Sequence, residues 1–142
     1  MPTAWTWLLR AGLLLTGSLP WLWWALPDSA QHGALQSFSS FCHQRPERSL
    51  LWMEQLMPVC SRCGGLFAGL LLGALILPPA VMVAHWKRWI LAATALMFLE
   101  IGVQDFLRHS PYHPTRLLTG LALGWILAGG AIHLLTRSDR VA

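Results

Sequence analysis

Three cysteines, a histidine beside the first of them, and arginines on either side carry the chemistry open to this chain. Cys42 is followed at once by His43. Cys60 and Cys63 form a Cys-x-x-Cys with Arg62 between the thiols. Thiolate and imidazole are soft and borderline ligands, and three cysteines with one histidine make a tetrahedral zinc shell. The about 18 positions from Cys42 to Cys60 leave enough chain for a loop to fold back and join the two segments. Cys42, His43, Cys60 and Cys63 are therefore the expected metal ligands and Zn2+ the expected ion. If His43 turns away, His109, His113 or water is left as the fourth ligand. The same thiols admit a second chemistry. A Cys-x-x-Cys opening a helix beside an arginine is where a thiolate is stabilised and reactive. Thiol–disulfide exchange through Cys60 and Cys63, with Cys42 as resolving partner, is the alternative.

The charged residues suggest what surrounds the thiols. Arg48, Arg62, Arg108 and Arg116 are the expected anion-binding residues, because a guanidinium fork matches phosphate and carboxylate. Helix N-termini near Cys60 and Arg116 add to the attraction for anions. Glu100 and Asp105 are the candidate general acid or base, with burial and nearby arginine moving their proton affinity in opposite directions. Glu100 should lie roughly 10 Å inside its helix end. A charge at that depth costs about 2.5–3.5 kcal/mol and calls for a partner inside the bundle. Glu100 and Gln104 share a face at i, i+4. Structural readings stand beside these: Arg48 and Arg116 as contacts to lipid phosphate, Asp105 in an ion pair with Arg108 or Arg116, Glu100 as a buried structural group. Glu100 and Asp105 as intramembrane carriers would instead make a small transporter.

These residues need a scaffold, and composition names its class. Of 142 residues 55% are hydrophobic and 11% charged, and the mean hydropathy is +0.50. That is the profile of a membrane protein. The net charge of +4 is scattered at the ends of apolar runs and forms no basic stretch, so no nucleic-acid partner is expected. Apolar runs place spans at about 4–26, 60–84, 89–107 and 116–135. Tryptophans flank the first run. It lacks a charged leader region, and Asp28-Ser29-Ala30 is a poor cleavage site, so the helix is expected to be retained. Ala34, Leu35, Phe38 and Phe41 recur at helical spacing and suggest a short amphipathic helix in the first loop. Gly65, Gly69 and Gly73 in the second span, and Gly120, Gly124 and Ala128 in the fourth, form small-residue faces for close helix packing.

The expected fold is thus all-α: one domain, a polytopic integral membrane protein with four transmembrane helices. Four spans put both termini on one side, and the cysteine loop and the bend after the third helix on the other. The lipid bilayer of the cell (inner) membrane is the expected surrounding, an anionic small molecule or lipid headgroup the expected ligand, and the glycine faces a route to oligomers. Lys87, Arg88, Arg137 and Arg140 favour cytoplasmic termini, whereas the arginines near the thiols and an odd cysteine count point the other way.

The segments Cys42-His43-Gln44-Arg45-Pro46-Glu47-Arg48-Ser49 and Pro58-Val59-Cys60-Ser61-Arg62-Cys63-Gly64-Gly65 resemble a family of small membrane proteins of unassigned function. That family shares Cys-His-Gln-x-Pro-Glu-Arg-Ser and Pro-x-Cys-x-Arg-Cys-x-Gly motifs. The likeness continues more loosely through Asp105, Arg108, Ser110 and Arg116 to Gly120. It departs at Gly64 and across Pro111-Tyr112-His113-Pro114. The resemblance implies a multi-span membrane protein with a shared polar site and supplies no activity. Taken together, the residues favour a membrane-embedded metal-binding protein with an arginine-lined pocket for an anion.

Overall fold

The computed structural model of the chain describes residues 4–108 and 112–138. Six α-helices and one β-hairpin follow in order: α1 Ala4–Ser18, α2 Asp28–Ser39, β1 Ser49–Trp52, β2 Gln55–Cys60, α3 Ser61–Leu75, α4 Ala80–Ala84, α5 Trp86–Gly102 and α6 His113–Ser138. Short 3-10 turns sit at Trp23–Ala25 and Pro46–Arg48, and α5 runs on into a π-helical turn at Val103–Arg108.

The helices are shorter than the apolar runs that announce them. The run from 4 to 26 breaks at Ser18, whose hydroxyl turns back to donate to Leu15 O at 2.9 Å, and Pro20 follows. The run from 60 ends at Leu75, short of Pro78-Pro79. A 15-residue helix such as α1 or α3 reaches only about 22 Å at 1.5 Å per residue, against a hydrocarbon core of about 30 Å. α5 carries Lys87, Arg88 and Glu100 within 17 residues. Among the described residues one helix, over His113–Arg137, is long and apolar enough to cross a membrane, with the apolar α3 shorter than that. The expectation of four spans is corrected accordingly: apolar composition continued across helix breaks that length alone did not reveal.

The hairpin is the second departure from an all-helical reading. β1 and β2 pair antiparallel across a two-residue turn, with Trp52 opposite Gln55, Leu51 opposite Leu56 and, beyond a break in register, Ser49 opposite Cys60. Met53 and Glu54 hold left-handed backbone, φ 50° and 63°, which matches the right-handed twist of the strands but suits Asn-Gly better. Pro58 fits in β2 because a two-stranded ribbon has only edges. Strand and helix propensities overlap for such short apolar segments, so a loop was the natural expectation.

α3 and α6 form the spine. Their glycines face one another with backbone against backbone. A methyl group on Gly65 would strike Leu117 O, on Gly69 the Leu121 carbonyl, and on Gly120 the Arg62 carbonyl. The small-residue faces expected to pack these helices do meet, within one chain. Trp125 Nε1 donates to Ile76 O at 2.8 Å and ties off the end of α3. α1 lies along α3 at Gly17, where a methyl would meet Leu71 N at 2.8 Å. At the opposite end of α3, Phe38 of α2, Met57 and Val59 of β2, Phe67 of α3 and Cys42 make a small buried core. Phe38 stands edge-on to Phe67, with ring centroids 5.9 Å apart. Apolar burial in this cluster docks the first loop onto α3.

Candidate metal and anion site

Cys42 follows the end of α2, Cys60 ends β2, and Cys63 lies in the first turn of α3. Their packing in the Phe38–Phe67 core fixes three separate stretches of chain around one point. The three sulfurs all lie within 4.8 Å of one another and none is in a disulfide. Thiolates on a common zinc ion at about 2.3 Å sit roughly 3.8 Å apart, so the cluster is of the right size for one metal ion. The Cys60 backbone N–H donates to Cys42 Sγ at 3.1 Å. The Cys60 thiol, then the Cys63 thiol, and that backbone N–H hold Cys42 well below the ordinary thiol value of 9.0, against the opposing effect of burial. A thiol so disposed is ready to serve as a thiolate ligand.

The same three residues line a cavity of about 320 Å³ with Phe41, His43, Gln44 and four arginines, Arg45, Arg48, Arg62 and Arg116. Among the described residues no carboxylate lines it. Arg116 arrives from the start of α6 and Arg62 from α3, so a late segment of the chain does reach the early cysteines. His43 lines the cavity but stands outside the group of three sulfurs. His113 opens α6 and is not among the lining residues. His109 lies outside the described residues. So do the side chains of Asp105 and Arg108, whose backbone belongs to the π-helical turn.

Behind the cavity wall, Glu100 joins the two deepest arginines. Its Oε2 accepts from Arg62 Nε at 2.7 Å, and its Oε1 lies 3.8 Å from Arg116 Nε. Gln104, 5% exposed, completes the arrangement. Its Oε1 accepts from Arg116 Nε at 2.6 Å and from Tyr112 N–H at 3.1 Å, while its Nε2 donates to Thr115 Oγ1 at 2.6 Å. One neutral amide thus aims Arg116 and fastens the start of α6 to the end of α5. The π-helical turn begins beside Gln104. Such turns shift the side-chain register and recur at functional sites.

Sequence reasoning passed over two residues here. Gln104 was seen only as a neighbour of Glu100. Gln44 adopts left-handed backbone at φ 48°, and its Nε2 donates to Leu35 O at 2.8 Å. That contact reverses the chain after His43 and brings Arg45 and Arg48 back to the cavity. Its place in the Cys-His-Gln motif was the available signal.

Residues 42–129 match the profile of the family described as "Predicted membrane protein (DUF2085)". That is more than half of the chain, and it holds every cysteine and every arginine of the cavity. The chain belongs to this family. It is therefore a membrane protein, in keeping with the long apolar α6. A 93-residue stretch is 31% identical to the uncharacterized protein MJ1492 of Methanocaldococcus jannaschii, covering 62% of this chain and 59% of that protein. The chain thus spans less than two thirds of the relative's length. No solved structure matches.

Proposed function

We propose that this membrane protein carries a zinc centre on Cys42, Cys60 and Cys63, beside an arginine-lined cavity that takes a phosphate- or carboxylate-bearing small molecule or lipid headgroup. The observation that carries the reading is the coincidence of the two sites: three sulfurs within 4.8 Å of one another on the wall of a cavity with four arginines. Among the described residues, four guanidiniums set against the Glu100 carboxylate and a singly negative zinc–trithiolate favour an anionic ligand. Three protein ligands leave one position on zinc for water or ligand, and His43 is near enough in sequence to close it. With the position open, zinc would supply Lewis-acid chemistry to a bound oxyanion. With it closed, the ion stabilises the join between the first loop and α3.

Within this reading Arg48, Arg62 and Arg116 hold the anion, with Arg45 beside them and Arg108 as a further candidate. Glu100, already engaged by Arg62, serves to orient arginines, which leaves Asp105 as the candidate proton carrier. We place the protein in the cell membrane. Metal analysis of detergent-purified chain tests the proposal: about one zinc per chain is expected, lost in Cys60→Ser. A folded wild-type protein free of metal after expression in zinc-supplied cells overturns it. Three neighbouring free thiols also admit thiol–disulfide exchange. In it one thiolate attacks an external disulfide and releases one of its thiols, and a second thiol of the cluster then displaces the other as an internal disulfide forms, leaving the external disulfide reduced to two thiols. Trapping a mixed disulfide through Cys42 or Cys63 in the same sample would favour that reading.

A further inference from the structure

The end of the molecule remote from the thiols carries a cavity of a different character. It measures about 360 Å³ and opens between α1, the turn at Pro78, α4 and α6. Pro78, Val83 and Ile132 supply an apolar wall, and Pro78 and Ile132 are buried. Its polar lining is Arg10, His133 and Thr136. Along α6 the lining passes from Gly129 and Ile132 to His133 and Thr136, so it turns from apolar to polar over about 10 Å toward the helix C-terminus. α6 is the helix long and apolar enough to cross a membrane, and its span ends at Arg137. The polar end of the cavity therefore lies at headgroup level and the apolar end within the hydrocarbon. An apolar cavity excludes water and takes an apolar guest, and in a bilayer that guest is an acyl chain.

Charge selects the lipid. Arg10 lies over the Trp7 ring, its Cζ 5.8 Å from the centroid, a contact made by the guanidinium face that leaves the N–H donors in its plane for an acceptor. Among the described residues Arg10 is in no ion pair. The same end is basic. Trp86 packs on Gly130 and brings Lys87 and Arg88 there, and Arg137 closes α6; all three are exposed. The acidic side chains that the structure describes are gathered toward the thiols: Glu47 and Glu54 beside and in the hairpin, Glu100 behind the cysteine cavity, and Asp28 on α2, which packs on β2. We infer that this cavity is a site for an anionic phospholipid, with one acyl chain against Pro78, Val83 and Ile132 and the phosphate held by Arg10 and His133. Thr136 donates to His133 O at 2.9 Å and is not required as a donor. Basic pockets between membrane helices take anionic headgroups in this way. A zwitterionic lipid brings the same phosphate but adds a cation that the basic surroundings repel. The site is separate from the cysteine cavity and independent of the anion reading given above.

Native mass spectrometry of the detergent-purified full chain, titrated with phosphatidylglycerol and with phosphatidylcholine of the same acyl chains, tests the assignment. Wild type should retain phosphatidylglycerol about tenfold in preference to phosphatidylcholine, the worth of one charged hydrogen bond. Arg10→Gln should lose that preference, and Arg10→Lys should keep most of it. Ile132→Trp fills the apolar end and should displace both lipids; wild type and the two Arg10 variants decide the headgroup without it. Equal retention of the two lipids by wild type overturns the inference, as does a preference that survives Arg10→Gln. An equal loss of preference in Arg88→Gln, whose side chain does not line the cavity, marks a diffuse basic surface in place of a site and also overturns it. If the preference vanishes in Arg48→Ala and persists in Arg10→Gln, the lipid sits in the cysteine cavity: this site fails and the anion reading stands.

Discussion

A single methyl group at Gly120 should loosen the cysteine site from the far side of α3. Gly120 lies on α6 where its backbone touches α3. A Cβ there would sit 2.9 Å from Leu66 N and closer still to Arg62 O. Ordinary contact begins near 3.4 Å, so the two helices must part by roughly 1 Å, because neither obstacle is a side chain free to rotate. Overpacking of this kind costs about 1–3 kcal/mol. The displaced turn is the one that carries Arg62 and Cys63, whereas Cys42 is held by the loop after α2. Metal–sulfur distances tolerate only about ±0.2 Å, so the shift exceeds what three-point ligation absorbs. Gly120→Ala is expected to lower the unfolding midpoint in detergent and to lose zinc to a chelator faster than wild type. Gly12→Ala is the control, since a methyl there meets nothing within 4 Å; as an exposed helical substitution it should gain about 1 kcal/mol if anything. Wild-type melting and wild-type zinc retention in Gly120→Ala would show that the backbone seam does not position the thiols.

Two further expectations concern the thiols and the hairpin. The neighbouring thiols and the Cys60 N–H lower the proton affinity of Cys42, while the same neighbours and burial raise that of Cys63. The stabilising contribution of Cys42 is complete above the ordinary thiol value of 9.0 and declines as pH falls below it. Ultraviolet absorbance of metal-free protein should therefore show a first thiolate forming below that value, and Cys42→Ser should remove this early step. At the hairpin turn, replacing Met53 and Glu54 together by Asn-Gly relieves two left-handed non-glycine residues and should raise stability by about 0.5–1 kcal/mol. A lower unfolding midpoint in the double variant would refute that account of the turn.

The sequence made the chemistry easier to read than the architecture. Soft ligands are rare enough that Cys42, Cys60 and Cys63 identified themselves, and Pro58 and Pro78-Pro79 bracketed α3 closely. The glycine faces of α3 and α6 were legible because a four-residue period of small residues has little other use in an apolar helix. The number of spans was not, since the apolar run continues past Ser18 to Leu26 and the helix stops at Ser18. The hairpin was hidden because a short apolar segment fits strand and helix alike, and its turn uses Met53-Glu54 where Asn-Gly would have announced it. Gln104 was misjudged for a different reason. Its importance lies in hydrogen bonds to Tyr112, Thr115 and Arg116 around the start of α6, and no local pattern records such a meeting.

Cys60 is both the last residue of β2 and the cap of α3, paired across the ribbon with Ser49. No spacer separates the strand from the helix, so any tilt of the ribbon is delivered undamped to a sulfur atom. The exposed tip at Leu51 and Met53, 74% and 59% accessible, is the long arm of that lever, and the site is at its fulcrum. Chemistry at the thiols and the posture of the ribbon are thus one mechanical variable, to be measured together.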